Sequence, residues 1–530
     1  MIIRGATAGF EPDLEFDLRA TQASQNVLSG KPTTVWTYQP RLVRGDAGNL
    51  QTIPNSYLGP VVRARTGQRV RVNFINDLPD LKQESVIHWH GLVLPEDMDG
   101  HPRYVIQPRQ TYVYEFEIAN RAGTYWFHPH PHGRTGPQVY AGLAGLFIVS
   151  DDEEQALGLP RGEYDVPLVI QDRRLDADNQ LVCLTGPIGG TGQMMPSGGM
   201  GGMDHGGMMG GSSTEQPGGT TMDMGGMMDA MMGFLGDRVL VNGQPDYTLR
   251  VATRVYRLRL LNGSNARIYK LGWSTGDPLI VIGTDGGLLE KPVEKPYVML
   301  APGERVELWA DFSRLAVGTE LALTSLEFSG AEDPGGMMEG GMSTGPALGT
   351  PMLLFKVRVE RDEPEMLALP QTLASLTRLK ADGAVNAANP RPLAISLKNM
   401  TWLLNGRQFE MTGATPEEAV QANTLEVWEI VNQLNPGEMM DANGMAHPIH
   451  LHGVQFQVVG REVLPQLKAG WDTVSQGYAD EGWKDTVLIM PGESVRLAMR
   501  FANHTGLFVY HCHNLEHEDQ GMMRNYRVQA

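Results

Sequence analysis

Fourteen histidines occur in the 530-residue chain, and ten of them stand in four tight groups. His88 and His90 lie in HWHG, and His128 and His130 in WFHPHPHG. His447, His450 and His452 lie in HPIHLHG, while His511, His513 and His517 surround Cys512 in HCHNLEHEDQGM. Side chains two apart on a strand point to the same face, so each His-X-His offers two imidazoles side by side. One such pair is commonplace; four of them point to bound metal. In the last group His511 and His513 face one way and Cys512 the other. Cys512, His517 and a histidine from elsewhere give two imidazoles and a thiolate, and Met522 adds a weak axial thioether. That set favours copper and one-electron chemistry. Zinc, the competing metal, prefers four strong ligands and supplies no redox step. The HCH run then reads as a wire, taking electrons from copper at the cysteine to metals on the opposite face.

Strands must hold these residues. Short runs rich in Val, Ile, Phe and Tyr recur between Gly, Pro and Asn, as at 68–74, 112–118, 143–149, 254–261, 304–312, 425–431, 454–459 and 494–501. Several alternate apolar with polar, the pattern of antiparallel sandwiches, and helical periodicity is scarce. The expected fold class is all-β. Three sandwich-sized blocks are drawn at 1–155, 156–362 and 388–530, with 363–387 as a linker crossing the surface. Leu240-Val241-Asn242-Gly243 and Leu403-Leu404-Asn405-Gly406 echo one another, which suggests blocks of related type. The first block supplies four of the grouped histidines and the third supplies six. The metal cluster is therefore expected where these two blocks meet. The middle block holds only His205 and has no such site of its own. Cys183 reads as an inert thiol, so no disulfide framework is expected.

Residues 194–232 hold 12 of the 29 methionines, among Gly, Ser and acidic residues, and read as a mobile insertion that builds no packed core. Its flanks extend it to about 186–236 in the second block. A smaller patch, Met337, Met338 and Met342, lies in another Gly-rich loop. The net charge of −18 argues against nucleic acid and anionic membranes as partners and mildly favours cationic substrates. The longest apolar run, 140–149, falls short of the ~18 residues that span a bilayer. Met1-Ile2-Ile3-Arg4-Gly5 shows neither a charged leader nor an apolar core, so no export signal is read there.

In these four motifs and their order the sequence resembles the multicopper oxidases over nearly its whole length. The resemblance implies three cupredoxin-like Greek-key sandwiches and four copper ions: one type 1, one type 2 and a type 3 pair. By motif position, His447, Cys512 and His517 would bind the type 1 copper with Met522 axial, Met523 being an adjacent competitor. His88 and His450 would bind the type 2 copper. His90, His128, His130, His452, His511 and His513 would bind the type 3 pair. Every ligand position is filled, which implies a working enzyme. An axial Met implies a low-to-middle potential within the family's range. Asp99 and Glu518 match the family's proton-handling acids beside the cluster. His132 follows the second motif and is expected to line a channel to it; His101 and His504 are given no role.

The chain also resembles the bacterial copper-efflux branch in RTGPQVYAGLAG and in Gly482-Trp483-Lys484-Asp485-Thr486-Val487. Thioethers favour cuprous copper, so the methionine-rich segment suits a cuprous oxidase. Two departures stand out. The segment falls early in the second block rather than near the third, and Asn443 stands where the branch has an Asp beside Met445. Met445 and Asp441 are the expected substrate-copper contacts. The leading expectation is a monomeric cuprous oxidase that passes electrons to oxygen, also accepts phenols, and works in the periplasm or outside the cell. A laccase with a phenolic substrate is the alternative, and a copper-sequestering protein the third.

Overall fold

The computed structural model describes residues 2–182, 229–332, 345–434 and 444–530. Cys183, His205, Asp441, Asn443, the patch Met337, Met338 and Met342, and the methionine-rich run up to residue 228 lie outside the described residues. The rest is mostly β. Its strands form six sheets in three successive pairs, as expected of three cupredoxin-like sandwiches. All eight apolar runs singled out in the sequence are strands, from Arg69–Asp77 to Glu493–Arg500. The reason is visible in Arg69–Asp77, where alternate side chains are buried and half-exposed along the strand. Each sandwich closes over its own apolar core.

The sheets are not purely antiparallel, which corrects the sequence expectation. Each contains at least one parallel pair, and the pairs recur at equivalent places. Leu14–Gln25 runs parallel to Arg69–Asp77, Asp165–Arg173 to Val255–Asn262, and Arg391–Lys398 to Leu425–Asn432. In the facing sheets Val61–Arg65 runs parallel to Gly145–Ser150, Thr248–Ala252 to Met352–Arg361, and Ala419–Gln421 to Met523–Gln529. Period-two patterning decides which face of a strand is buried and is silent on strand direction, which the long connections set. The repetition is structural kinship that the short sequence echoes only hinted at.

Two apolar seams fix the middle sandwich to its neighbours. Trp126, Tyr140 and Leu146 meet Val169, Phe234 and Leu240 on one side. Ile268, Met299 and Phe328 meet Ala446, Tyr478 and Leu488 on the other. A second correction concerns the methionine run. Its last residues, 229–232, form one helical turn. Met231 joins the core of the third sandwich, with Met232 packed against it. An unbranched thioether fills irregular gaps that a Gly-rich composition does not advertise. Among the described residues no helix is long and apolar enough to cross a membrane.

Candidate metal centre

The strand His447–Leu451 lies between Thr486–Ile489 and Gly506–Cys512 in one sheet. Its register sets Ile449 opposite Cys512 and His450 opposite both His511 and Thr486. In the first sandwich Ile87–His88 pairs with Gly123–Pro129, which sets His88 opposite His128. These two sheets bring eight buried histidines to one place, from the first and third sandwiches.

The histidines sort themselves by distance. Ligand atoms within 4.8 Å of one another group His90, His128 and His513 as one triad, and His130, His452 and His511 as another, while His90 also groups with His88 and His450, and His452 with His88 and Asp99. The Nε2 atoms of His88 and His450 are 3.2 Å apart. In the second triad, Nε2 of His511 lies 3.2 Å from that of His130 and 3.1 Å from that of His452. Cys512, His447 and His517 form a separate buried group, with Sγ 3.4 Å and 3.7 Å from the two Nδ1 atoms. Met522 is fully buried in the same apolar cluster as Cys512.

The hydrogen bonds on the far edges decide what these groups can hold. Nδ1 of His88 donates to the Asp99 carbonyl at 2.7 Å, and that of His450 to the Asp485 carbonyl at 2.8 Å. Nδ1 of His452 donates to Asp99 Oδ2 at 2.7 Å, that of His511 to the Cys512 carbonyl at 3.0 Å, and that of His128 to the Pro129 carbonyl at 2.9 Å. With the hydrogen on Nδ1, each Nε2 carries a bare lone pair, and the bare atoms converge. Burial, with neighbouring imidazoles adding to it, holds His88, His450 and His452 well below the usual histidine range. Burial takes His128 down to about 3 and His130 to about 4. Neutral imidazoles facing one another across about 3 Å with lone pairs inward fit a cation and little else. The Cys512 group passes the same test. Burial pushes its thiol well up, so a thiolate there requires a metal beside it. A soft sulfur, two imidazoles and a buried thioether suit copper.

The acids divide. Asp99 is buried and ties His88 to His452, and burial raises its carboxyl well above the usual range. Glu518 lies 3.1 Å from His511 Nδ1 and 3.5 Å from His130 Nε2. Burial alone would raise Glu518, but His130 and His511 outweigh it and hold the carboxyl well below its range. Gly100 shows why the Asp99 loop takes this shape. Its φ is +91°, and a Cβ there would meet the Ile87 carbonyl oxygen at 2.2 Å and His88 Cα at 2.6 Å. Gly100→Ala is therefore expected to cost about 3 kcal/mol and loosen His88. A lower thermal midpoint together with reduced copper per chain would register it.

Three further sequence candidates are buried or half-buried. His101 is buried but structural, its Nε2 donating to Asn525 at 2.8 Å while its Nδ1 accepts from the Arg103 amide. His132 is half-buried, its ring centroid 4.9 Å from that of Phe409. Met445 is buried in the third core and bridges by its backbone to Glu332. Sequence reasoning missed Trp402, whose ring centroid is 4.4 Å from that of His447. It also missed Met231, whose carbonyl accepts from His517 Nε2 at 2.8 Å and from Trp402 Nε1 at 3.1 Å. No local signal marks either, because both act through contacts between distant segments.

Profiles of the family described as multicopper oxidase match residues 35–154 and 383–530. The laccase of Bacillus stratosphericus is 29% identical, over 93% of this chain and 90% of its own length. The laccase of Haloferax volcanii is 30% identical, over 97% of this chain and 81% of its own. The crystal structure of the McoA multicopper oxidase from the hyperthermophile Aquifex aeolicus is similar with a TM-score of 0.73 at 31% identity, covering 98% of this chain and 97% of that one.

Proposed function

Since the chain belongs to the multicopper oxidase family, we propose that it oxidises cuprous ion one electron at a time, with phenols as poorer reductants, and reduces oxygen to water. In this reading His447, Cys512, His517 and Met522 would hold the type 1 copper, and His88 and His450 the type 2 copper. His90, His128 and His513 hold one type 3 ion, and His130, His452 and His511 the other. The groups His90, His128 and His513 and His130, His452 and His511, which share no residue, support this assignment. The bound coppers supply one-electron redox chemistry and the place where oxygen is reduced. The chain's own residues do the rest. The backbone joins Cys512 directly to His511 and His513, giving a short covalent path between the two centres. Asp99 and Glu518, with opposite proton affinities, hold and pass protons beside the cluster.

The observation that carries the cuprous reading is the cover over His517. Its Nδ1 faces Cys512, so its Nε2 edge is where an electron donor would arrive. That edge is taken by the Met231 carbonyl. Asn514 Nδ2 donates to the Met232 carbonyl at 3.3 Å and Gln520 to that of Ala230, so the turn at 229–232 is tied down over the site. A bulky phenol is kept from the ring, whereas a small soft cation can be delivered by thioethers of the methionine run that ends there. The laccase alternative draws its support from the relatives called laccases.

Oxygen uptake by the copper-loaded protein tests this. Deleting 194–228, which keeps the cover, is expected to lower cuprous turnover at least about tenfold and leave phenol turnover low. Deleting 194–232 removes the cover as well and is expected to raise phenol turnover about tenfold. Cuprous turnover unchanged by both deletions would replace the reading with a phenol-oxidising laccase. Absence of steady oxygen consumption would favour copper sequestration.

A further inference from the structure

We propose that Asp485, clamped by Arg305 of the middle sandwich, is a positioning residue that fixes the tautomer and orientation of His90 at the type 3 site. This rests on the assignment of His90 as a copper ligand. His90 differs from the five imidazoles of the cluster that are held by Nδ1, those of His88, His128, His450, His452 and His511. Its Nε2, not Nδ1, is engaged, lying 3.0 Å from Asp485 Oδ1 and 3.1 Å from Thr486 Oγ1. Its buried Nδ1 has no partner in the protein. An imidazole that donates from Nε2 to a carboxylate presents a bare and more basic Nδ1, the arrangement that orients and tunes a metal ligand.

Asp485 has no freedom to do otherwise. Arg305 grips both of its oxygens, Nη1 to Oδ1 at 2.7 Å and Nη2 to Oδ2 at 2.6 Å. The guanidinium also donates to the carbonyls of Thr124, Gly303 and Asp285, so all three sandwiches meet on it. Thr486 Oγ1 donates to Asp485 Oδ1 at 2.9 Å, and the Asp485 carbonyl accepts from His450. Both members of the pair are fully buried. Gly91, directly after His90, records the fit from the other side. With φ at +87°, a Cβ there would come within 2.5 Å of Asp485 Oδ2 and 2.6 Å of Arg305 Nη2. The middle sandwich, which supplies no ligand histidine among the described residues, thus reaches the cluster through the Arg305–Asp485 pair.

A scaffold pair and a positioning pair respond differently to substitution. Removing one partner of a buried pair strands a charge, whereas replacing both by neutral groups of similar shape is often tolerated. The test compares Asp485→Asn with the double variant Asp485→Asn/Arg305→Gln, reading copper per chain, the blue absorbance of the Cys512 site and the paramagnetic resonance spectrum. The proposal expects both variants to keep the blue absorbance. Both should lose the spectroscopic signature of the coupled pair and bind the cluster coppers about tenfold less tightly. A double variant with restored copper content and spectrum would overturn it, as would loss of the blue site along with the cluster in both variants, since either marks a purely structural pair. His90→Ala separates the premise from the proposal. Undiminished copper in that variant would sink the ligand assignment. Copper lost there but unaffected in the double variant would sink the role of Asp485 alone.

Discussion

Cys512→Ser is expected to abolish the blue colour and cut oxygen turnover by at least about 10³-fold, equivalent to ~4 kcal/mol of barrier. The thiolate is the only soft, strongly donating ligand in its group, and the path to His511 and His513 begins at its side chain. Serine offers a hard oxygen with a shorter bond in a fully buried apolar setting. Its hydroxyl there costs about 1–3 kcal/mol unless it finds a hydrogen-bond partner. The amide of Asn514, which now points at Sγ from 3.4 Å, is positioned to offer one. The histidine triads do not use Cys512 Sγ, so copper is expected to remain in them. Metal analysis and absorbance check this directly. Loss of all copper would mean that the two centres assemble as a single unit. Retained turnover would mean that electrons reach the triads by another route.

The four histidine groups were legible because a metal site built on strands leaves its period-two spacing in the sequence. Asp99 was legible only through the family resemblance, by its place after the first histidine motif. The sorting of six histidines into two triads was not. It depends on the register of His447–Leu451 against Gly506–Cys512 and on how the first and third sandwiches meet, and neither is a property of a single segment. Strand direction escaped the same way, since alternation looks alike in parallel and antiparallel pairs. The middle block looked chemically silent because it carries no ligand motif. Its contributions are a backbone carbonyl at Met231 and a guanidinium at Arg305, groups that sequence alone gives no reason to single out. The run Lys484-Asp485-Thr486 did catch the eye as a resemblance, and its physical meaning emerged only with His90 beside it.

Glu518→Gln is expected to slow oxygen reduction about 10²-fold while leaving the Cys512 site able to accept electrons at its normal rate. Glutamine keeps the shape of the side chain and removes its charge and its capacity to take up a proton. In the folded protein the carboxyl sits between His511 and His130, one from the HCH run and one from the first sandwich, so it touches both sides of one triad. Asp99 stands on the other side of the same triad, on His452 Nδ1. Burial pushes the Asp99 carboxyl up, while His130 and His511 beside Glu518 outweigh burial and draw its carboxyl down. Two carboxyls with proton affinities driven apart are suited to separate halves of a proton transfer, one holding a proton and one receiving it. Stopped-flow measurement separates the halves of turnover. Bleaching of the blue band by reductant without oxygen should match the unsubstituted protein. Recovery of the band on adding oxygen should be slow and should show a larger solvent deuterium effect. Slow recovery with an unchanged deuterium effect would instead make Glu518 an orienting group for His511 and His130. Recovery at the normal rate would remove it from the reaction and leave proton supply to Asp99.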